Sequence, residues 1–173
     1  QHYATILLGK YRRLVPICVI LEPLRLEPNQ GPGRVRHGSG KRIMTKVTAS
    51  SFRELKAKDE KISVLTAYDY PTAVLMDEAG VDAILVGDSM GNVVMGLENT
   101  LGVDMDMMLH HVKMVRRGVK RAMVIADMPY LSYQISPEEA VRNAGRLVRE
   151  GGAQGVKIEG NVVNFGDVIR AMI

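Results

Sequence analysis

Three acids stand where short apolar runs end: Asp88 after Ala83-Ile-Leu-Val-Gly87, Asp127 after Ala122-Met-Val-Ile-Ala126, and Glu159 after Gly155-Val-Lys-Ile158. If the runs are parallel strands, their C-terminal ends converge on one edge and the acids meet there. Burying carboxylates at such an edge is costly unless a cation faces them. An all-oxygen donor set with no Cys or His suits a hard ion, Mg²⁺ before Mn²⁺. Lys157 lies two residues before Glu159, so both side chains leave the same strand face. A lysine beside a metal-bound acid suits an anionic substrate such as a carboxylate. The competing reading, in which each acid merely caps the following helix, serves for one acid better than for three in succession.

Other candidates carry less. Gly87-Asp-Ser-Met-Gly91 lacks both the GxGxxG spacing and the lysine of a phosphate loop. His110 and His111 are adjacent and cannot face one metal from a regular helix, and His110 falls opposite the apolar stripe, at a solvated position. Met105, Met107, Met108 and Met114 read as core filler and helix surface.

The elements that would position the acids follow from periodicity. Strands are predicted over 63–69, 83–89, 122–128 and 155–160. Helices are predicted over 70–79, with Asp69 as cap, Pro71 in the first turn and Gly80 as stop, and from Asp104 to Gly118. The second carries the stripe Met105, Met108, Leu109, Val112, Val115. A third helix starts at the Ser136-Pro-Glu-Glu139 capping box and stops at Gly151-Gly152, a fourth is capped at Asn164, and a short one near 50–58 precedes the first strand. Alternating βα units imply a parallel sheet with right-handed crossovers. The sheet is either doubly wound or the first half of a (β/α)8 barrel, because a full barrel needs about 250 residues and Met44 to Ile173 is 130.

Residues 1–43 read differently. They hold 8 Lys+Arg against 2 acids and four prolines, whereas 44–173 hold 15 against 17. All 11 methionines lie at or after Met44, and residue 1 is Gln. The segment is expected to be a basic tail outside the fold, upstream of a start at Met44, or alternatively an Arg-rich transit peptide. Composition argues against nucleic-acid stacking, with no Trp and 2 Phe. No apolar run approaches the ~18 residues of a membrane span. The single Cys18 excludes an internal disulfide framework and fits a reducing compartment.

Leu65-Thr-Ala-Tyr-Asp-Tyr70, Leu85-Val-Gly-Asp-Ser89, Asn99-Thr-Leu101, His111 with Val115-Arg-Arg-Gly118, Ala126-Asp-Met-Pro-Tyr130 and Val156-Lys-Ile-Glu-Gly160 together resemble the ketopantoate hydroxymethyltransferase family, over about residues 44–173. The resemblance implies a (β/α)8 TIM barrel of the phosphoenolpyruvate mutase/isocitrate lyase type, with its first four βα units here. It implies hydroxymethyl transfer from 5,10-methylenetetrahydrofolate to 3-methyl-2-oxobutanoate, giving 2-dehydropantoate for pantothenate and coenzyme A synthesis. It further implies Asp88 and Asp127 as Mg²⁺ ligands bordering the keto acid, Glu159 as the third acid of that site, and Ser89 and Lys157 as keto-acid contacts. The family's general base is a glutamate expected beyond Ile173, so this chain is expected to be inactive alone. The partners implied are the keto acid, the folate and, for the full-length enzyme, further copies in a decamer, with no nucleic acid and no membrane. The location implied is cytoplasmic, or mitochondrial if 1–43 is a transit peptide. Two local departures are Thr100-Leu-Gly-Val-Asp104 in place of Thr-Leu-Pro-Val-Thr, and Gly160-Asn161 in place of a double glycine. The alternatives are a lyase or mutase of the same superfamily, against which Asp127-Met-Pro-Tyr130 stands in place of an Asp-x-Asp-x-Gly-x-Gly stretch, and a half-barrel without turnover.

Overall fold

The computed structural model describes residues 4–7, 17–21, 45–160 and 162–173. From residue 45 onward the chain alternates helix and strand: α1 (Ala49–Ala57), β3 (Val64–Thr66), α2 (Tyr70–Ala79), β4 (Ala83–Val86), α3 (Met90–Val93), α4 (Met105–Gly118), β5 (Met123–Asp127), α5 (Pro137–Arg149), β6 (Gly155–Ile158) and α6 (Val162–Met172). Ahead of them, β1 (Ala4–Leu7) and β2 (Ile17–Leu21) form an antiparallel pair.

The strands make one sheet in the order β1-β2-β6-β5-β4-β3, with β3 through β6 parallel. The four parallel strands follow one another in space as in sequence, each within a residue or so of its expected start.

Residues 1–43 were expected to lie outside the fold. Two segments of them instead join the sheet, with β2 antiparallel to β6 so that Ile17 pairs Ile158 and Cys18 pairs Lys157. The physical reason is legible afterwards. Ile17-Cys-Val-Ile-Leu21 is apolar and rich in β-branched residues, and the β6 edge offers unpaired backbone groups that such a segment satisfies. Other expectations for 1–43 fall outside the described residues.

Helix boundaries follow local chemistry. Thr48 and Ser51 cap α1 reciprocally, each side-chain oxygen accepting from the other's backbone N–H at 3.3 Å. The Asp69 carboxylate accepts from Thr72 N–H at 2.8 Å, and Gly80 ends α2 at φ 87°, a left-handed conformation that costs glycine little. Asp104 caps α4 through the N–H groups of Asp106 and Met107, and Ser136 caps α5 through Glu139 N–H. α6 starts two residues before the expected Asn164 cap and is kinked at Phe165. The segment after β4 contains the single turn α3.

Alternation along the strands sorts the core into two faces. Ile84, Val86, Val124, Ala126, Val156 and Ile158 belong to the large cluster shared with α2, α4, α5 and α6. Ala83, Met123 and Ile125 point the other way and pack with Val47 and Phe52, so α1 closes that inner face at the N-terminal ends of the strands. The inner face is thus apolar at one end and, from residues 87, 127 and 157 onward, open to polar chemistry at the other.

Candidate functional site

Three of the expected residues meet at the C-terminal ends of β4, β5 and β6. The Asp88 backbone N–H donates to Asp127 Oδ2 at 3.3 Å. Lys157 Nζ donates to Asp127 Oδ1, and the two residues are register partners across β5 and β6. Ser89 follows Asp88, its hydroxyl sharing a 2.9 Å hydrogen bond with the Tyr68 hydroxyl.

Gly87 makes the crowding possible. A Cβ on it would lie 2.7 Å from Ser89 Oγ and 3.3 Å from Asp127 Oδ2. Those two oxygens flank the same empty position, so the glycine is what lets the tip of β4 come against the β5 carboxylate.

Glu159 is placed differently. Its side chain is 69% exposed and bonds Lys157 Nζ at 3.2 Å, whereas Asp127 is 7% exposed. Among the described residues no three His, Cys, Asp or Glu side chains stand close enough to hold a metal ion together. Asp88, Asp127 and Glu159 thus stand at the ends of adjacent strands without being gathered into one cluster of three carboxylates. The strand β6 ends just before Glu159, so its side chain reaches solvent while its carboxylate keeps the bond to Lys157.

The electrostatics make Asp88 and Asp127 a strained pair. Burial pushes the Asp127 carboxyl up to about 6 despite the opposing pull of Lys157, and the Asp88 charge adds to the rise. Burial also raises Asp88, with the Glu159 charge adding to it; Lys157 and a hydrogen bond from the Thr100 hydroxyl oppose the shift. Burial draws Lys157 down, but Asp127 and Glu159 together outweigh it and hold the ammonium above its ordinary range. Two carboxylates side by side, both raised by burial, favour a further cation. Mg²⁺ commonly binds through one or two carboxylates and keeps several waters, so Asp88 and Asp127 fit such an ion without Glu159.

Sequence reasoning did not single out four further residues at the site. Thr100 reaches back to Asp88 from the loop after α3. Tyr133, from the loop after β5, donates to the Glu159 carbonyl at 2.9 Å and accepts from Glu159 N–H at 3.2 Å, fixing the end of β6. Tyr68 holds Ser89, and His111 Nδ1 holds the Tyr68 carbonyl at 2.7 Å. Tyr68, Thr100 and His111 lie within the family-like motifs and Tyr133 in none of them, while the partners of all four depend on tertiary approach. His110 is exposed, as expected.

Comparison with known proteins bears on the fold and the family. A solved 2,3-dimethylmalate lyase, a PEP mutase/isocitrate lyase superfamily member, matches with a TM-score of 0.53 at 23% identity, over 72% of this chain and 47% of that one. Phosphoenolpyruvate phosphomutase from Streptomyces platensis subsp. rosaceus matches at 0.56 and 17%, over 72% and 48%. These likenesses identify the fold: β3 through β6 with their helices are arranged as four βα units of a TIM barrel. Among curated relatives named 3-methyl-2-oxobutanoate hydroxymethyltransferase, that of Acetivibrio thermocellus is 64% identical over 115 residues, 66% of this chain and 41% of its own length. That of Syntrophomonas wolfei subsp. wolfei is 55% identical over 130 residues, 75% and 47%. The chain spans about half the length of the curated relatives it matches. The profile of the ketopantoate hydroxymethyltransferase family matches residues 46–173, and the chain belongs to that family.

Proposed function

We propose that this site serves hydroxymethyl transfer from 5,10-methylenetetrahydrofolate to 3-methyl-2-oxobutanoate, giving 2-dehydropantoate in pantothenate and coenzyme A synthesis, by an aldol-type reaction dependent on Mg²⁺. The observation that carries the reading is the Asp88–Asp127 pair backed by Lys157 at three adjacent strand ends. In parallel barrels this is the face where catalysis is built. Family membership supplies the choice of reaction.

In this reading Asp88 and Asp127 hold the ion, and Lys157 and Ser89 contact the keto acid. A bound Mg²⁺ would polarise the keto group as a Lewis acid, making the neighbouring C3 proton easier to remove. Lys157 balances the Asp127 charge and presents the remainder of its own to the substrate carboxylate. The Ser89 hydroxyl donates a hydrogen bond to the same anion. Asp127, packed behind Lys157, keeps the ammonium at one place rather than sweeping the site. The proton acceptor is assigned to a glutamate outside these four βα units. The reading includes self-assembly, with ten copies as the resemblance implies, and the half-exposed Val64 and Leu65 on the outermost strand β3 offer an apolar edge for it.

Calorimetric titration of Mg²⁺ and 3-methyl-2-oxobutanoate tests the reading. Each ligand is expected to tighten the other, and Asp88→Ala and Asp127→Ala are each expected to weaken both together. Mg²⁺-dependent keto-acid binding that survives in Asp88→Ala would overturn the ligand assignment.

A further inference from the structure

The chain leaves the β3–β4 ladder at Ala67, whose N–H donates to the Leu85 carbonyl at 3.1 Å. The next carbonyl, of Tyr68, is half-buried and beyond the ladder, so it needs a partner from elsewhere. His111 on α4 supplies it, 43 residues along the chain, at 2.7 Å from Nδ1. A carbonyl only accepts, so Nδ1 carries the proton and donates. On the same residue the Tyr68 hydroxyl meets Ser89 Oγ at 2.9 Å. One tyrosine therefore joins α4, through its main chain, to the hydroxyl at the tip of β4.

We infer that His111 and Tyr68 are positioning residues that act through Ser89, setting the direction of its hydroxyl for an anionic substrate group. The inference rests on the proposed contact between Ser89 and the keto acid. A phenol is the more acidic hydroxyl, so Tyr68 donates to Ser89 Oγ and leaves the serine O–H free. Ser89 Oγ lies beside the position a Gly87 side chain would fill, with Asp127 Oδ2 on its far side, so the freed O–H is at the polar end of the inner face. Without Tyr68 the serine hydroxyl loses this partner and its direction is no longer fixed. Without His111 the Tyr68 main chain loses the bond that holds the ring over Ser89.

The test uses ¹⁵N NMR of the chain for the imidazole and calorimetry of 3-methyl-2-oxobutanoate with Mg²⁺ for affinity. The neutral His111 ring is expected to be the Nδ1–H tautomer. Tyr68→Phe is expected to weaken keto-acid binding roughly 3- to 10-fold, the size of one hydrogen bond. In a Ser89→Ala background the same change is expected to cost less than about 2-fold, because the bond it removes is already gone. His111→Leu should match Tyr68→Phe. His111→Asn, whose amide N–H can stand where Nδ1–H stood, should recover most of the affinity, which a general packing role would not allow.

An Nε2–H tautomer would overturn the inference. So would a Tyr68→Phe loss that persists in full beside Ser89→Ala. If Ser89→Ala leaves affinity untouched, the proposed Ser89 contact fails and the inference with it. If Ser89→Ala weakens binding while Tyr68→Phe and His111→Leu do not, the inference alone fails.

Discussion

Asp127 and Lys157 are register partners on adjacent parallel strands, and the lysine ammonium bonds the aspartate carboxylate on the inner face. Lys157 is 14% exposed, so the pair is largely out of water. The lysine favours the charged acid but does not offset burial, which together with the Asp88 charge lifts Asp127 from 3.8 to about 6.

That shift fixes a pH dependence. A carboxyl raised in the folded state binds a proton there that the unfolded chain has already released. The resulting stability is fully present below 3.8 and is lost as pH rises through about 6. Asp127→Asn cannot titrate, so it lacks this component. Urea denaturation of both proteins from pH 4 to 7 should show the native protein losing stability relative to Asp127→Asn across that interval. Parallel curves would mean that Asp127 is not raised.

Glu159 gives a second expectation. It faces solvent and pairs with Lys157 rather than with Asp88 or Asp127. Glu159→Gln should therefore change Mg²⁺ affinity less than about 3-fold, the scale of an exposed ion pair. Asp88→Ala and Asp127→Ala should cost more than roughly 10-fold, since coordinating groups of a bound ion are lost. Equal losses in all three variants would restore Glu159 to the ion's immediate surroundings.

The contrast between Asp88/Asp127 and Glu159 shows what the sequence could and could not reveal. Strand ends and helix caps are local: Asp69, Asp104 and Ser136 announce α2, α4 and α5, and the acids announce where strands stop. Spacing also places Lys157 and Glu159 on one strand face. Whether a carboxylate turns inward or outward depends also on tertiary contacts, and for Glu159 the Tyr133 clamp on its backbone comes from the loop after β5. Thr100, Tyr68 and His111 act over 12 to 43 residues, beyond any periodic signal. The β2 pairing with β6 escaped because prolines and charge dominate the composition of 1–43, while only five residues decide the strand.

Gly87 offers a test of the site's geometry that leaves its charges alone. An alanine methyl there would press on Ser89 Oγ at 2.7 Å and crowd Asp127 Oδ2 at 3.3 Å. Both neighbours are side-chain ends and can move, so the fold should survive with a loss on the order of 1 kcal/mol. Movement of either displaces a proposed ligand contact. Gly87→Ala should consequently weaken Mg²⁺ and keto-acid binding by roughly 10-fold or more, with little change in the denaturation midpoint. Unchanged affinity at unchanged stability would show that the space beside Gly87 is not where the ligands sit.

Asp77 separates the stability of the barrel units from their chemistry. It is buried near the end of α2 and accepts from three consecutive backbone N–H groups, those of Lys120, Arg121 and Ala122, at 2.6 to 3.1 Å. These groups join α4 to β5, so one carboxylate fixes where β5 begins. The Arg121 guanidinium extends the tie, donating to the Val81 carbonyl at 2.7 Å and to Asp82 at 2.9 Å. Asp77→Ala would leave those amides without acceptors, at about 1–3 kcal/mol for each that water cannot reach. A total loss of about 3 kcal/mol is expected in urea. Asp77→Asn should do little better, because its amide group presents hydrogens to donors where the second carboxylate oxygen accepted. Asp127 lies four residues along β5 from its start, roughly 13 Å away at the usual strand rise. Under conditions where the variant is still folded, keto-acid and Mg²⁺ affinities should therefore stay within about 2-fold of the native protein. A large affinity loss in the folded variant would mean that the two ends of β5 are coupled, and that the strand does not act as a rigid support for the site.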